Sequence, residues 1–238
     1  MRLNHYISSC GVCSRREADK LISKGRVKVN GNVPSPGLSV DDGDIVTVDG
    51  KEIQLQNKKI VLAYYKPVGV VCTQKDEHAL RTLSSEIKYP VRVTYAGRLD
   101  KDSEGLLLLT NDGDLINAMM KGSNRHEKEY EVVVDKKITG DFLNKMAGGV
   151  YLKDLDKTTR GCNITKTGPS SFKIILTQGL NRQIRRMCDT LGFKVLSLKR
   201  IRVMTVKLSD YNLKPGRFVE LSKDEMDKLY KAAGLNIQ

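Results

Sequence analysis

Three carboxylates two residues apart, Asp100, Asp102 and Glu104, stand just before four consecutive leucines in the stretch AGRLDKDSEGLLLLTND, residues 96–112. Counted from Asp100, oxygen ligands at positions 1, 3 and 5 and a glycine at position 6 imitate the opening of a calcium-binding loop. The imitation then fails. That loop needs a bidentate glutamate at its twelfth position, which here is Asn111, and a hydrophilic second half, which here is Leu106, Leu107, Leu108 and Leu109. A short apolar run bounded by turn residues reads as a buried strand. The acidic stretch is therefore expected to be a loop feeding a core strand, with at least one carboxylate kept there for chemistry.

Other familiar chemistries are poorly supported. The chain contains no G-x-x-x-x-G-K phosphate loop, no H-E-x-x-H and no G-x-S-x-G, so nucleotide hydrolysis, zinc proteolysis and serine-esterase activity are disfavoured. His5, His78 and His126 are far apart in sequence and form no acid–base pattern. Cys10 and Cys13 make one C-x-x-C with no second pair. A half-buried thiol pair under a helix is favoured over a zinc site. No metal and no cofactor is expected. What remains beside the carboxylate loop is Tyr130 in HEKEYEV and a cationic element, GLNRQIRRM. Residues 181–202 carry seven Lys/Arg (Arg182, Arg185, Arg186, Lys194, Lys199, Arg200, Arg202) against Asp189 alone. That is an electrostatic footprint for a phosphate backbone.

The elements that position these residues can be outlined from periodicity. With 238 residues, 39% of them hydrophobic, the chain can bury one large or two smaller cores. Its net charge of +13 makes a polyanion the leading partner. No run of about 18 apolar residues exists to span a bilayer, and the N-terminus does not lead into a signal-peptide core. Five cysteines in a chain of this size suggest reduced thiols in a cytoplasm.

Residues 1–56 read as a module of their own. Ser14-Arg15-Arg16-Glu17 is a capping box, so a helix is expected to begin at Arg15 and end near Gly25. Ala18, Leu21 and Ile22 form its buried stripe, while Arg15, Arg16, Lys20 and Lys24 are offered to an anionic partner. Asn30-Gly31 and Asp49-Gly50 are expected to close two hairpins. Charge is divided unevenly: residues 1–30 hold seven Lys/Arg against two Asp/Glu, and residues 31–56 hold one against five.

After a polar linker at 54–59, residues 60–238 form a larger segment. The apolar runs IVLAYY, GVVCT, LLLLT, YEVVV and FKIILT alternate with helices expected near 114–121, 139–147 and 182–191, and a terminal helix capped by Ser222 and Glu225. Strands outnumber helices without strict alternation. The expected fold class is α+β: a small helix-plus-hairpin domain, then a mixed, mostly antiparallel sheet flanked by helices.

Two resemblances sharpen this reading. The capped basic helix, GRVKVNG and GDIVTV resemble the RNA-binding domain named for ribosomal protein S4, over roughly residues 2–48. YYKPVGVV, AGRLDKDSEGLLLLTNDGDL, HEKEYEV and LTQGLNRQIRRM resemble, in that order, the motifs of RNA pseudouridine synthases of the ribosomal small-subunit synthase A family. Within it, GNVPSPG and HEKEYEVVVDKKIT look most like the large-subunit synthase F branch.

The resemblance implies isomerisation of a uridine in RNA, exchanging a nitrogen–carbon glycosidic link for a carbon–carbon one. The target must leave its stack, which costs a few kcal/mol. Tyr130 matches the family's stacking tyrosine, and base–aromatic stacking is worth about 1–3 kcal/mol. Asp100 matches the catalytic aspartate. Arg185 matches an arginine that is expected to pair with it and keep it charged. Leu180 and Ile184 are expected to line the uracil pocket, and Lys66-Pro67 to support the tyrosine side of the cleft. Arg98, Arg182 and Arg186 join the helix cations as expected RNA contacts. The implied substrate is ribosomal RNA, large subunit favoured, with tRNA a second candidate. The chain is expected to act as a cytoplasmic monomer. A noncatalytic ribosome-associated RNA-binding protein is the alternative.

Overall fold

The computed structural model describes residues 1–56, 58–73 and 81–236. Asn57 of the expected linker and His78 lie outside the described residues. The chain forms two compact units. The first comprises Met1–Ile60 together with residues 89–94 and 111–113; the second comprises the rest. The division is thus not a single cut near residue 56, because two later segments belong to the first unit.

The first unit contains α1 (Leu3–Ser9), α2 (Arg15–Ser23), β1 (Val27–Val29), β2 (Val46–Val48) and β3 (Lys51–Glu52). The capping box forms as expected: Glu17 N donates to Ser14 Oγ at 3.3 Å, and Ser14 N donates to Glu17 Oε2 at 3.1 Å. Leu3, Ile7 and Ala18 pack with Val27, Val29, Val46 and Val48 in a small core, leaving Arg15, Arg16, Lys20 and Lys24 exposed. One hairpin differs from expectation. Asp49-Gly50 does join β2 to β3, but β1 pairs with β2 across a 16-residue connection rather than closing at Asn30-Gly31. The Asn30-Gly31 turn makes only the isolated bridge Val29–Asn32, because the residues after it, Asn32 to Gly37, include two prolines and cannot supply a ladder.

The second unit follows as β4 (Val61–Lys66), α3 (Leu83–Glu86), β5 (Thr94–Tyr95), β6 (Glu104–Thr110), α4 (Gly113–Met120), β7 (Lys128–Val134), α5 (Gly140–Gly148), β8 (Tyr151–Leu152), β9 (Lys157–Thr158), β10 (Asn163–Gly168), β11 (Ser171–Leu176), α6 (Gln183–Thr190), β12 (Val195–Val203), β13 (Val206–Lys207), β14 (Phe218–Glu220) and α7 (Lys223–Ala232). Among the described residues the main sheet runs β10-β11-β7-β12-β6-β4-β14, with β13 beside β12 and β5 beside β6. Along that path β12 and β6 are parallel and the other pairs antiparallel. GVVCT contributes no strand, only a bridge from Val71 to Thr82.

Two apolar cores flank the parallel seam. Ala63, Tyr65, Leu106 and Leu108 pack with Leu115, Met119, Met226 and Leu229. Val132, Val134, Phe172 and Ile174 pack with Phe142, Met146, Ile184 and Met187. The seam itself depends on one glycine. Gly105 has φ +108, and a Cβ there would fall 2.7 Å from the Arg200 backbone nitrogen and closer still to its carbonyl oxygen. Gly105→Ala is expected to destabilise the protein by about 2–5 kcal/mol, the sum of overpacking and a strained backbone. Urea unfolding checks this, and a loss below about 1 kcal/mol would show that the seam can spread.

Candidate active site

The acidic stretch is a loop tied down by its own carbonyls. Gly69 N donates to Lys101 O at 2.7 Å, Arg185 Nη2 donates to Asp102 O at 2.8 Å, and Lys66 Nζ donates to Ser103 O at 2.7 Å. Ser103 N closes the turn onto Asp100 O at 3.1 Å. Leu99, buried behind the loop, anchors its start by donating N–H to Cys72 Sγ. With its backbone held on both sides, Asp100 presents a side chain that is one-third exposed.

That side chain enters a cleft of about 680 Å³, a size suited to a nucleotide. Tyr130, Leu180 and Ile184 line the same cleft. Tyr130 stands on β7, where it pairs with Ile174 of β11 and Arg200 of β12. Cations dominate the wall: Arg98, Lys101, Lys121, Arg125 and Arg160 all line it, and Asp100 is the one acidic residue among the described residues that do. Arg160 Nη1 donates to Gly122 O and Thr177 O, joining two segments of the rim. Gln183, buried at the start of α6, accepts a hydrogen bond from Leu180 N at 3.0 Å and holds that segment against the helix.

Several expected roles change. The pair expected between Arg185 and Asp100 is replaced by contacts to the neighbouring residues. Arg185 Nε lies 3.4 Å from Asp102 Oδ2 without hydrogen-bond geometry, and its Nη2 reaches Asp102 O and Ser103 Oγ. Asp100 has Arg182 beside it instead, at 3.8 Å. Arg182 also grips Asp102 with both terminal nitrogens, at 3.0 and 2.9 Å. These hydrogen bonds hold the Asp102 carboxyl below the usual carboxylate range against the opposing effect of burial. The physical reason is helix register. α6 begins at Gln183, with Arg182 at its N-cap in the left-handed region (φ 50), so Arg182 meets the loop carboxylates from ahead of the helix, while Arg185, inside the helix, meets Asp102 O and Ser103 Oγ.

Arg186, expected as an RNA contact, forms an ion pair with Asp154 and donates to Asn181 O. Lys66 sits beneath the aspartate loop rather than supporting the tyrosine side. It is fully buried, its Nζ is shared between Ser103 O and Pro67 O, and burial draws its pKa below the usual lysine range. Glu104 accepts from Tyr65 OH at 3.2 Å. Arg98 remains exposed on the cleft wall. The exposed helix cations Arg15, Arg16, Lys20 and Lys24 belong to the first unit.

Several cleft residues escaped the sequence reading, Lys128 and Arg200 among them. Lys128 and Arg200 both line the cleft from the sheet. Arg200 entered only as one cation among seven in residues 181–202, and nothing in its spacing marked it as buried. Among the described residues, no group of three or more His, Cys, Asp or Glu is placed to hold a metal, and no helix is long and apolar enough to cross a membrane.

Residues 60–190 match the family described as RNA pseudouridylate synthase, and residues 1–46 match the S4 domain. The chain is 45% identical over 233 residues to the dual-specificity RNA pseudouridine synthase RluF of Escherichia coli K12, covering 97% of this chain and 79% of that protein. It is 37% identical over 234 residues to an RNA pseudouridine synthase of Rickettsia felis, covering 95% and 99%. A crystal structure of a pseudouridylate synthase superposes with a TM-score of 0.71 at 26% identity, covering 96% and 99% of the two chains.

Proposed function

The chain belongs to the RNA pseudouridylate synthase family and carries an S4 domain ahead of its catalytic region, and we propose that it converts a uridine of structured large-subunit ribosomal RNA to pseudouridine with Asp100 as its catalytic carboxylate. The carrying observation is the cleft itself, where one carboxylate on a braced loop shares a cationic nucleotide-sized space with Tyr130. A cationic wall draws in the phosphate backbone. Tyr130 offers a stacking surface that offsets the cost of extruding the base. Asp100 then engages the sugar or base, splitting one hard step into easier ones.

A glycosidase would need two carboxylates across the scissile bond and a water to accept the sugar. An isomerase returns the same base, so one carboxylate suffices. The noncatalytic RNA-binding alternative requires no ionisable group in the cleft, and Asp100 is there.

The identity to the F-type relatives supports placing the chain in that branch. Their dual-specificity name calls for a second class of RNA in the test, and we take tRNA as that candidate beside ribosomal RNA. A cytoplasmic, monomeric enzyme fits the free cysteines and the presence of Asp100 and Tyr130 in one cleft of one chain. The test uses transcripts carrying tritium at carbon 5 of uracil. The purified protein is expected to release tritium from large-subunit ribosomal RNA, and release from tRNA alone would overturn the substrate assignment.

A further inference from the structure

Beside Tyr130 on the sheet, the cleft wall holds two cations. Arg200 is 2% exposed. Its Nε donates to Leu106 O at 2.7 Å and its Nη1 to Arg98 O at 3.2 Å, which fixes the plane of the guanidinium. Among the described residues its Nη2 is buried with no hydrogen-bond partner. Lys128 lies nearby on β7, donating to His126 O at 3.4 Å. Burial and the charge of Arg200 hold its pKa below the usual lysine range. Two like charges kept close in a buried wall, one with an unused donor, are a costly arrangement that an anion or electron-rich ligand would relieve.

Position identifies that ligand. Arg200 and Tyr130 are directly opposed in the β12–β7 register, and Lys128 is two residues from Tyr130 on the same strand. Alternation along a strand therefore places all three on one face of the sheet. A base stacked on Tyr130 carries its edge toward the groups beside that ring. The isomerisation passes through a state in which this edge is negatively charged. When the C1′–N1 bond breaks, its electron pair stays on N1 and spreads over the O2 and O4 oxygens. The base then turns, and C5 supplies the pair for the new C1′–C5 bond. The C5 hydrogen leaves as a proton and N1 takes one up, so the isomer returns neutral.

Resting on the function proposed above, we infer that Lys128 and Arg200 bind the detached uracil anion and stabilise it during its turn. This assigns them a part in the chemistry distinct from that of Asp100, which deals with the sugar or initiates the exchange. Donors aimed at a charge that appears only during reaction act on turnover rather than on ground-state binding.

The test compares uridine with 5-fluorouridine at the target position. Fluorine makes the base a more acidic leaving group, so its anion depends less on outside stabilisation. Lys128→Met keeps the side-chain volume, removes the repulsion with Arg200 and forfeits one long hydrogen bond, so it should melt no lower than the wild type. Under single turnover at saturating enzyme, it is expected to lose about a hundredfold in C1′–N1 exchange on uridine, the scale of one lost charge-stabilising donor. On 5-fluorouridine, scored as rearranged nucleoside after digestion, the loss should shrink to about tenfold or less. Arg200→Lys, which keeps the charge but loses the fork, should show the same shrinkage. Equal losses on both bases would overturn the inference. So would a defect confined to RNA affinity that disappears at low salt, the mark of a phosphate contact. The wild type reports separately on the parent reading: if it converts neither base, the proposed function fails, whereas an active wild type with equal losses removes only the uracil-anion site.

Discussion

Asp100→Asn is expected to lower single-turnover conversion by more than about a thousandfold, the scale seen when an enzyme loses its reacting side chain. RNA affinity should stay within about a factor of three, because phosphate contacts supply most of the binding and the variant removes a negative charge from a cationic cleft. The loop argues for a local effect. Its carbonyls at 101, 102 and 103 are held by Gly69, Arg185 and Lys66, and its partner Arg182 is fixed on Asp102 by two hydrogen bonds that do not involve Asp100. The variant should therefore melt close to the wild type. Substantial turnover by Asp100→Asn would remove the residue from its role; loss of folding would mean that Asp100 is a structural member of the loop.

The second large effect separates two adjacent arginines. Arg185→Ala should reduce turnover about a hundredfold, the cost of misplacing a reacting group by about 1 Å. Arg185 joins three acceptors from two segments: Asp102 O and Ser103 Oγ of the acidic loop, and Val195 O at the start of β12. A lysine reaches only a fraction of that fan, so Arg185→Lys should also be impaired. Arg186 instead pairs with Asp154 and holds Asn181, and Arg186→Ala should leave single-turnover conversion within about threefold, as expected for a largely surface ion pair. Both variants remove one positive charge from the same helix, so a purely electrostatic role predicts equal defects. Equal single-turnover rates would refute the bracing role of Arg185.

Those two residues also show where sequence reasoning stops. The capping boxes at Ser14 and Ser222 were legible because both partners lie within four residues of each other, and they form at the expected positions. The Leu106–Leu109 run was legible as a strand because burial on both faces leaves no polar alternation to obscure it. α1 was not foreseen: it has no side-chain cap and is held by the tertiary burial of Leu3 and Ile7. β10, NITKTG, is a largely exposed edge strand without an apolar signature, and it exists because β11 offers it a ladder.

In the cleft, Asp100, Tyr130, Leu180 and Ile184 converge, as the motif order implied. Which carboxylate each arginine reaches is decided elsewhere. It depends on the left-handed cap at Arg182 and the rotation of α6, neither of which is written in residue spacing. Arg200 was hidden for a related reason: an arginine becomes a buried cleft residue only when Leu106 and Arg98, about a hundred positions away, supply its acceptors.

Whether this cleft makes pseudouridine through Asp100 can be read in RNA made by cells. Pseudouridines are mapped at nucleotide resolution in ribosomal and transfer RNA from a strain lacking this chain, complemented with the wild type or with Asp100→Asn. At least one large-subunit uridine is expected to stay unmodified in the deletion strain, to become pseudouridine with the wild type and to stay uridine with Asp100→Asn at equal protein level. Restoration of that position by Asp100→Asn, or an unchanged map across all three strains, would contradict that expectation.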